Sequence, residues 1–318
     1  MPLNRIVVVE PSGFCAGVKR AVGMLEQALC ELAPPIYCYR ELVHNRQVIE
    51  QFTARGVRFV NCLDEVPEGA NLVFSAHGVA PQIVEQARGR CLRVLDATCP
   101  FVARIHSKVR QFVAEGRTVF LVGHRTHDEV RGVVGEAPGA VMVIENPAEA
   151  EAVQVAPGTA LAVVTQTTLS VADTAKTIGV LHSRFPALAT LPQSDICLAV
   201  RNRQLGVSRL AEQVQRILVL GAQNSSNSQR LVEVAVAAGA DATLISTLDD
   251  LADIDWQGVD QVGITAGAST PESFMQAVIN ALRRLNGAAV TRLRVATEDL
   301  AAAEPSLAEG DDNGQQRK

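Results

Sequence analysis

Three segments of this 318-residue chain repeat one pattern, in which a cysteine stands directly before a run with helical apolar spacing. They are GFCAGVKRAVGMLEQAL around Cys15, ATCPFVARIHSKVRQFV around Cys99 and DICLAVRNRQLGVSRLAEQ around Cys197. Apolar residues recur in steps of three and four, the mark of an amphipathic helix. Pro100, directly after Cys99, suits a first helical position.

Each cysteine helix is followed by an apolar run that ends in a polar loop: YCYRELVHNR with His44, VFLVGHRTHDE with His127 and ILVLGAQNSSNS with Asn227. These loop residues lie 29, 28 and 30 positions after their cysteines. A third unit repeats the device in NLVFSAHGVAP with His77, ALAVVTQTTLS with Thr167 and QVGITAGASTPE with Ser269, at offsets of 62, 68 and 72. Continuous apolar runs such as TVFLVG and RILVLG suit buried parallel strands. Strand alternating with helix gives an α/β fold with small, mostly parallel sheets, whose ligand site lies beyond the carboxyl ends of the strands. Every polar loop named above lies at such an end. The repeat divides the chain into three pseudo-threefold-related lobes at about 1–98, 99–194 and 195–281. A C-terminal strand, AAVTRLRVAT, returns to the first lobe over 282–298, and the polar, aperiodic tail 299–318 is expected to be disordered. The plainer reading is chance likeness among α/β units, against which stands the matched cysteine in all three.

A hydrophobic content of 47% with 20% charged residues is ordinary for a globular chain. A net charge of −5, no basic stripe and only 4% aromatics argue against nucleic-acid partners, so an anionic substrate must be met by local donors. No apolar run reaches membrane-spanning length and the N-terminus lacks a signal-like segment. The expectation is a cytoplasmic protein with no membrane partner, and an odd count of seven cysteines fits reduced thiols there.

A lone cysteine is usually a small buried hydrophobe. That reading suits Cys30, Cys38, Cys62 and Cys91, which have no counterparts in the other lobes. Cys15, Cys99 and Cys197 form no local CxxC run, so as ligands they require three lobes to close on one centre. Three thiolates leave one iron of a four-iron cluster without a protein ligand, and such an iron can act as a Lewis acid. A helix N-terminus is expected to lower a thiol's pKa.

NSSNS, with Ser225, Ser226 and Asn227, introduces a helical run and can form an anion site, although such loops are mostly plain helix caps. His44, His77 and His127 can each be structural, as His106 and His182 are taken to be. The repeat favours His127 over His124 in their shared loop. Glu129 can deliver protons, with Thr167 as relay, or it can be an ordinary first-turn charge.

The motifs GFCAGVKRA, ELVHNR, FSAHGV, DATCP, TQTTLS, DIC, NRQ, NSSNS and TAGAS, in this order over about residues 10–285, resemble the 4-hydroxy-3-methylbut-2-enyl diphosphate reductases, the LytB/IspH family. The resemblance implies a trefoil of three lobes around a [4Fe-4S] cluster held by Cys15, Cys99 and Cys197, with one open iron. It implies reductive removal of the allylic hydroxyl of (E)-4-hydroxy-3-methylbut-2-enyl diphosphate, giving isopentenyl and dimethylallyl diphosphates, the last step of the non-mevalonate route. The motif match places His44, His77, His127, Ser225, Ser226, Asn227 and Ser269 on the diphosphate, Thr167 on the hydroxyl and Glu129 as proton source. It also implies a ferredoxin or flavodoxin-type electron donor and a monomer.

The chain departs from the family's usual HPE at Asp128, from EGTMGQ at Arg131, and from DICYATTNRQ at Leu198 and Arg201. Those departures leave room for a divergent paralogue. Other readings are a quinolinate synthase-like three-lobe enzyme, against which TQTTLS and NSSNS speak, a non-enzymatic iron–sulfur sensor, and a metal-free phosphosugar module.

Overall fold

The computed structural model describes residues 3–191 and 194–295. The tail expected to be disordered lies outside them. The strands are β1 (Arg5–Glu10), β2 (Ile36–Tyr39), β3 (Val57–Val60), β4 (Asn71–Phe74), β5 (Arg93–Asp96), β6 (Thr118–Val122), β7 (Val141–Ile144), β8 (Leu161–Thr165), β9 (Arg216–Leu220), β10 (Asp241–Ile245), β11 (Gln261–Ala266) and β12 (Ala289–Arg294). The helices are α1 (Ala16–Glu31), α2 (Arg46–Ala54), α3 (Pro81–Gly89), α4 (Pro100–Ala114), α5 (Asp128–Val134), α6 (Pro147–Ala152), α7 (Val171–Arg184), α8 (Leu198–Ala211), α9 (Ser226–Ala237) and α10 (Glu272–Asn286).

These strands form three sheets, ordered β10-β9-β11-β1-β12, β3-β2-β4-β5 and β7-β6-β8. Every pairing between these strands is parallel, as alternating strand and helix require. Each sheet is apolar on both faces because its strands carry apolar residues at odd and even positions alike. In the largest sheet Ile6, Val8, Leu218, Leu220, Val262 and Ile264 pack toward α10. Val7, Val9, Ile217 and Val219 pack on the other side with Val207 and Leu210 of α8. In the smallest, Val119 and Leu121 lie on one side, Phe120 and Val122 on the other. Each fully buried side chain of this kind contributes about 1.5–3 kcal/mol, so the sheets are rigid platforms for their loops.

β1 sits between β11 and β12, with Arg5 beside both Gln261 and Ala289. The first strand of the chain and the returning C-terminal strand therefore share the sheet built from β9 to β11. β1 is buried on both faces, which suits a place inside a five-stranded sheet, and the chain leaves it to enter the β2–β5 sheet through α1. The boundaries near 98 and 194 stand as a proposal for the lobes. Among the described residues no helix is long and apolar enough to cross a membrane.

Candidate functional site

All three repeat cysteines are helix N-caps: Cys15 for α1, Cys99 for α4 and Cys197 for α8. Their backbones are fixed by a threefold-repeated hydrogen bond. The Cys15 N–H donates to Ala268 O at 3.1 Å, that of Cys99 to Ala76 O at 3.0 Å and that of Cys197 to Thr167 O at 3.0 Å. Each cysteine thus docks on the third-unit loop that precedes or wraps round to it. Those bonds also correct the repeat register. Ala76, Thr167 and Ala268 are equivalent, so the counterpart of His77 and Ser269 is Thr168 and not Thr167. Sequence offsets missed this because the segments between the units differ in length.

One cavity of about 100 Å³ is lined by Cys15, Cys99, Cys197, His44, His77, His127, Glu129, Thr167, Ser225, Ser226, Asn227 and Ser269. Every site residue singled out in the sequence therefore meets in one place. Thr168, Gly17, Val43, Phe101 and Ala199 line it too, and reasoning from polar motifs passed them over, although Thr168 sits within TQTTLS.

The thiol end is built for close approach. A side chain at Gly17 would place its Cβ 2.6 Å from Cys99 Sγ and 3.9 Å from Cys15 Sγ, so only glycine keeps the space beside these sulfurs open. The expected lowering of the thiol pKa does not occur at Cys99 or Cys197. Burial pushes the Cys99 and Cys197 thiols up, outweighing the N–H groups of Phe101 and Ala199 that favour thiolate, and the neighbouring sulfurs add to the rise. Desolvation of a charge here exceeds what one helix end returns. Arg203, only 3% exposed, lies close enough for the Cys15 and Cys197 sulfurs to favour its charge, and it donates to Gly13 O and Ala199 O at 2.5 and 2.6 Å.

Around a single zinc ion thiolates sit about 3.8 Å apart, from metal–sulfur bonds of about 2.3 Å. Among the described residues the three sulfurs do not form a group within 4.8 Å of one another. Their all-sulfur donor set is one that fits an iron–sulfur cluster.

At the polar end the rings of His44 and His77 stack at 4.1 Å and 20°, and His127 stands edge-on to both, at 5.2 and 5.7 Å. His127 caps α5, and its Nδ1 accepts from the Glu129 N–H at 3.2 Å. The neutral ring therefore carries its proton on Nε2. Burial and the neighbouring imidazoles hold His77 well below the usual histidine range and bring His127 down to about 3. His124, left aside from the sequence, turns to Arg230 at 3.1 Å and is not in the cavity lining.

Ser225 caps α9, accepting from the Ser228 N–H at 3.3 Å. Asn227 is 4% exposed, and neither its Nδ2 nor its Oδ1 has a hydrogen-bond partner. An unpaired buried amide costs about 1–3 kcal/mol, which marks it as a group awaiting a ligand. Ser269 donates to His44 O at 2.9 Å, and Thr168 donates to Ser226 Oγ at 3.1 Å. These two bonds link the third-unit loops of Ser269 and Thr168 to second-unit loops of neighbouring repeats.

Glu129 is 2% exposed and its carboxylate accepts from Thr167 twice, N–H to Oε1 at 2.8 Å and Oγ1–H to Oε2 at 2.9 Å. Burial still dominates and pushes its pKa up to about 7. A carboxyl poised there can hold and release a proton at neutral pH.

The departures from the family pattern fall around this site. Asp128 lies between Arg40 at 3.9 Å and Arg131 at 3.7 Å. Leu198 follows Cys197 on the surface, 50% exposed. The Arg201 N–H donates to Cys197 O at 3.0 Å.

Comparison with known proteins agrees with this geometry. The LytB protein family matches residues 6–283. A protein of Acidothermus cellulolyticus named 4-hydroxy-3-methylbut-2-enyl diphosphate reductase is 47% identical over 282 residues, covering 88% of this chain and 82% of its own. A Rhodopirellula baltica protein of the same name is 46% identical over 93% of both chains. Among solved structures, the E-1-hydroxy-2-methyl-but-2-enyl-4-diphosphate reductase of Plasmodium falciparum superposes with a TM-score of 0.89 at 34% identity, covering 93% of each chain. A second, described as the terminal enzyme of the non-mevalonate pathway, gives 0.64 at 31% identity, covering 89% of this chain and all of its own.

Proposed function

The chain belongs to the LytB family, and from that premise we propose that it reduces (E)-4-hydroxy-3-methylbut-2-enyl diphosphate to isopentenyl and dimethylallyl diphosphates, the closing step of the non-mevalonate isoprenoid route. The observation that carries this reading is one cavity that joins three cysteine thiols, a buried Glu129–Thr167 pair and a ring of imidazole, hydroxyl and amide groups.

Cys15, Cys99 and Cys197 would hold a [4Fe-4S] cluster, and three thiols lining one cavity are a donor set that fits it. When bound, the cluster would relay the two electrons one at a time from the external donor and supply a Lewis-acid position at the iron without a cysteine.

The protein's own part is to bind, orient and protonate. His44, His77, His127, Ser225, Ser226, Asn227 and Ser269 receive the diphosphate, and Asn227 gains the partners it lacks. A polyanion arriving beside the neutral rings of His77 and His127 raises their proton affinity, so binding draws protons onto them. Glu129, protonated about half the time near pH 7, gives a proton to the leaving hydroxyl as the allylic C–O bond breaks. The hydroxyl departs as water, and two electrons and a second proton complete the allyl product. Thr167 Oγ1 holds the Glu129 carboxyl toward the cavity and is placed to contact the substrate alcohol. A ferredoxin or flavodoxin-type donor, a monomeric state and a cytoplasmic setting belong to the same proposal, and the last is supported by seven cysteines free of disulfides.

The test is anaerobic reconstitution followed by reduction of the hydroxylated diphosphate with an artificial donor. Formation of both allylic and homoallylic diphosphates is expected, and loss of turnover with cluster content retained is expected for Glu129→Gln. Undiminished turnover in that variant removes Glu129 from the mechanism.

A further inference from the structure

The histidine end of the cavity holds a second constellation. His44, His77 and Asp128 each bring one ligand atom, an imidazole nitrogen or a carboxylate oxygen, and these atoms all lie within 4.8 Å of one another. Two stacked rings and a carboxylate at the start of α5 converge from loops on two different sheets.

Both rings are oriented from behind. His44 Nδ1 meets Glu41 Oε2 at 3.0 Å, and Asn224 Nδ2 holds the same oxygen at 2.8 Å. A carboxylate only accepts, so Nδ1 of His44 carries the proton, and the neutral ring presents a lone pair at Nε2. His77 Nδ1 is engaged by Ser75 Oγ at 3.3 Å, which leaves its Nε2 as the free nitrogen. A histidine held through one nitrogen by a carboxylate or hydroxyl is the arrangement that orients metal ligands. The ion-pair contacts of Asp128, 3.9 Å to Arg40 and 3.7 Å to Arg131, are longer than hydrogen bonds, so its carboxylate retains acceptor capacity.

We propose that His44, His77 and Asp128 form a site for a divalent transition-metal ion of the zinc type, separate from the three cysteines. Two imidazole nitrogens and one carboxylate oxygen are the donor set of a zinc with three protein ligands and an open position. All-oxygen ions such as Mg²⁺ are poorly matched by imidazole. Ligand bonds of about 2.0–2.1 Å require the three atoms to close to about 3.3 Å apart, and an ion in the plane of both imidazoles requires His44 and His77 to open from their 20° stack. Arg40 and Arg131 oppose the cation's charge, so the ion binds reversibly.

Metal and diphosphate make opposite demands on the same nitrogens. A metal needs the lone pair of Nε2, whereas a phosphate oxygen needs an N–H there. The ion and the substrate therefore exclude each other, an extension that rests on the proposed function, whereas the site itself does not.

The test uses reconstituted holoenzyme, so that the cysteines are already occupied. Anaerobic dialysis against a zinc buffer, with zinc and iron counted together, is expected to give one zinc per chain with iron unchanged. Asp128→Asn, and Asp128→Pro, which a first helical position tolerates, are each expected to weaken zinc binding at least tenfold. Zinc-edge diffraction is expected to place the ion against His44, His77 and Asp128. Absence of the extra zinc, equal affinity in both variants, or an ion bonded to a set lacking Asp128 overturns the site. Zinc that binds as expected but leaves the KM for the diphosphate unchanged overturns the exclusion alone, and failure of turnover with zinc bound as expected counts only against the proposed function.

Discussion

Replacing Gly17 with alanine separates the sulfur geometry from the fold. Gly17 lies in the first turn of α1, two residues after Cys15, and its backbone needs no special conformation. On helix propensity alone, alanine there gains about 0.8–1 kcal/mol. The added Cβ, however, would stand 2.6 Å from Cys99 Sγ, about 0.8 Å inside the 3.4 Å of ordinary contact. Because Cys99 is pinned through its N–H on Ala76 O and its own Cβ lies 3.5 Å from the new atom, the overlap is relieved by turning Sγ away from the site. Overpacking of this kind costs about 1–3 kcal/mol. The metal-free variant should therefore unfold within about 2 kcal/mol of the parent, with α1 intact. Its sulfurs are pushed apart, and a site that needs ligands in register loses binding steeply. The assay is anaerobic reconstitution followed by iron and sulfide counts, beside a urea melt of the metal-free protein. The expected result is cluster content reduced at least tenfold with the melt nearly unchanged. Full cluster content in Gly17→Ala refutes the placement of the cluster between Cys15 and Cys99.

Three further outcomes follow from the same geometry. Glu129 has a folded pKa of about 7 against 4.5 unfolded, so the folded chain holds its proton more tightly. Its contribution to stability is full below pH 4.5 and is lost as pH rises through 7, an effect on the order of 3 kcal/mol. Glu129→Gln should accordingly flatten the stability–pH profile of the metal-free protein between about pH 4.5 and 7, and in the parent enzyme kcat should fall as pH climbs past 7. A profile with the same slope in the variant contradicts the assignment. Because His77 and His127 are neutral in the empty cavity, pyrophosphate binding near pH 7 should take up protons. Titration calorimetry in buffers of different ionisation enthalpy reads this, and a heat independent of buffer counts against the ring cluster as the anion site. Removing the buried guanidinium in Arg203→Met takes a positive charge from beside the Cys15 and Cys197 sulfurs, so the cluster's reduction potential should move negative and Arg203→Lys should restore part of it. An unshifted potential in a redox titration refutes that role.

Much of the site was readable in the chain because helix starts and strand ends leave local marks. A cysteine before an amphipathic run is an N-cap in all three lobes, and Pro100 and Ser225 announce their helices directly. The strand-end loops that carry His44, His77, His127, Glu129 and Thr167 follow from apolar runs that stop at polar residues. Tertiary choices were less legible. β1 reads like any buried strand, and nothing local says that its neighbours are β11 and β12, which lie more than 250 residues away. The equivalence of Thr168 with His77 and Ser269 emerges only from the hydrogen bonds of Cys99, Cys197 and Cys15. The thiol pKa values went against the helix-end expectation because burial, which no short motif encodes, outweighs a helix end. Helical spacing reads His106 as a surface or packing residue; it is buried, and its Nδ1 lies 2.6 Å from Glu136, a pairing between residues 30 positions apart that periodicity cannot reveal.

The account turns on three sulfurs from distant parts of the chain holding one cluster that leaves a single iron without a cysteine. Mössbauer spectroscopy of protein reconstituted with ⁵⁷Fe, recorded with and without the hydroxylated diphosphate, tests this most directly. Four irons per chain, with one of the four changing its signal when substrate is added, is the predicted result. Four irons that ignore the substrate, or a reconstituted protein that holds no cluster, would contradict it.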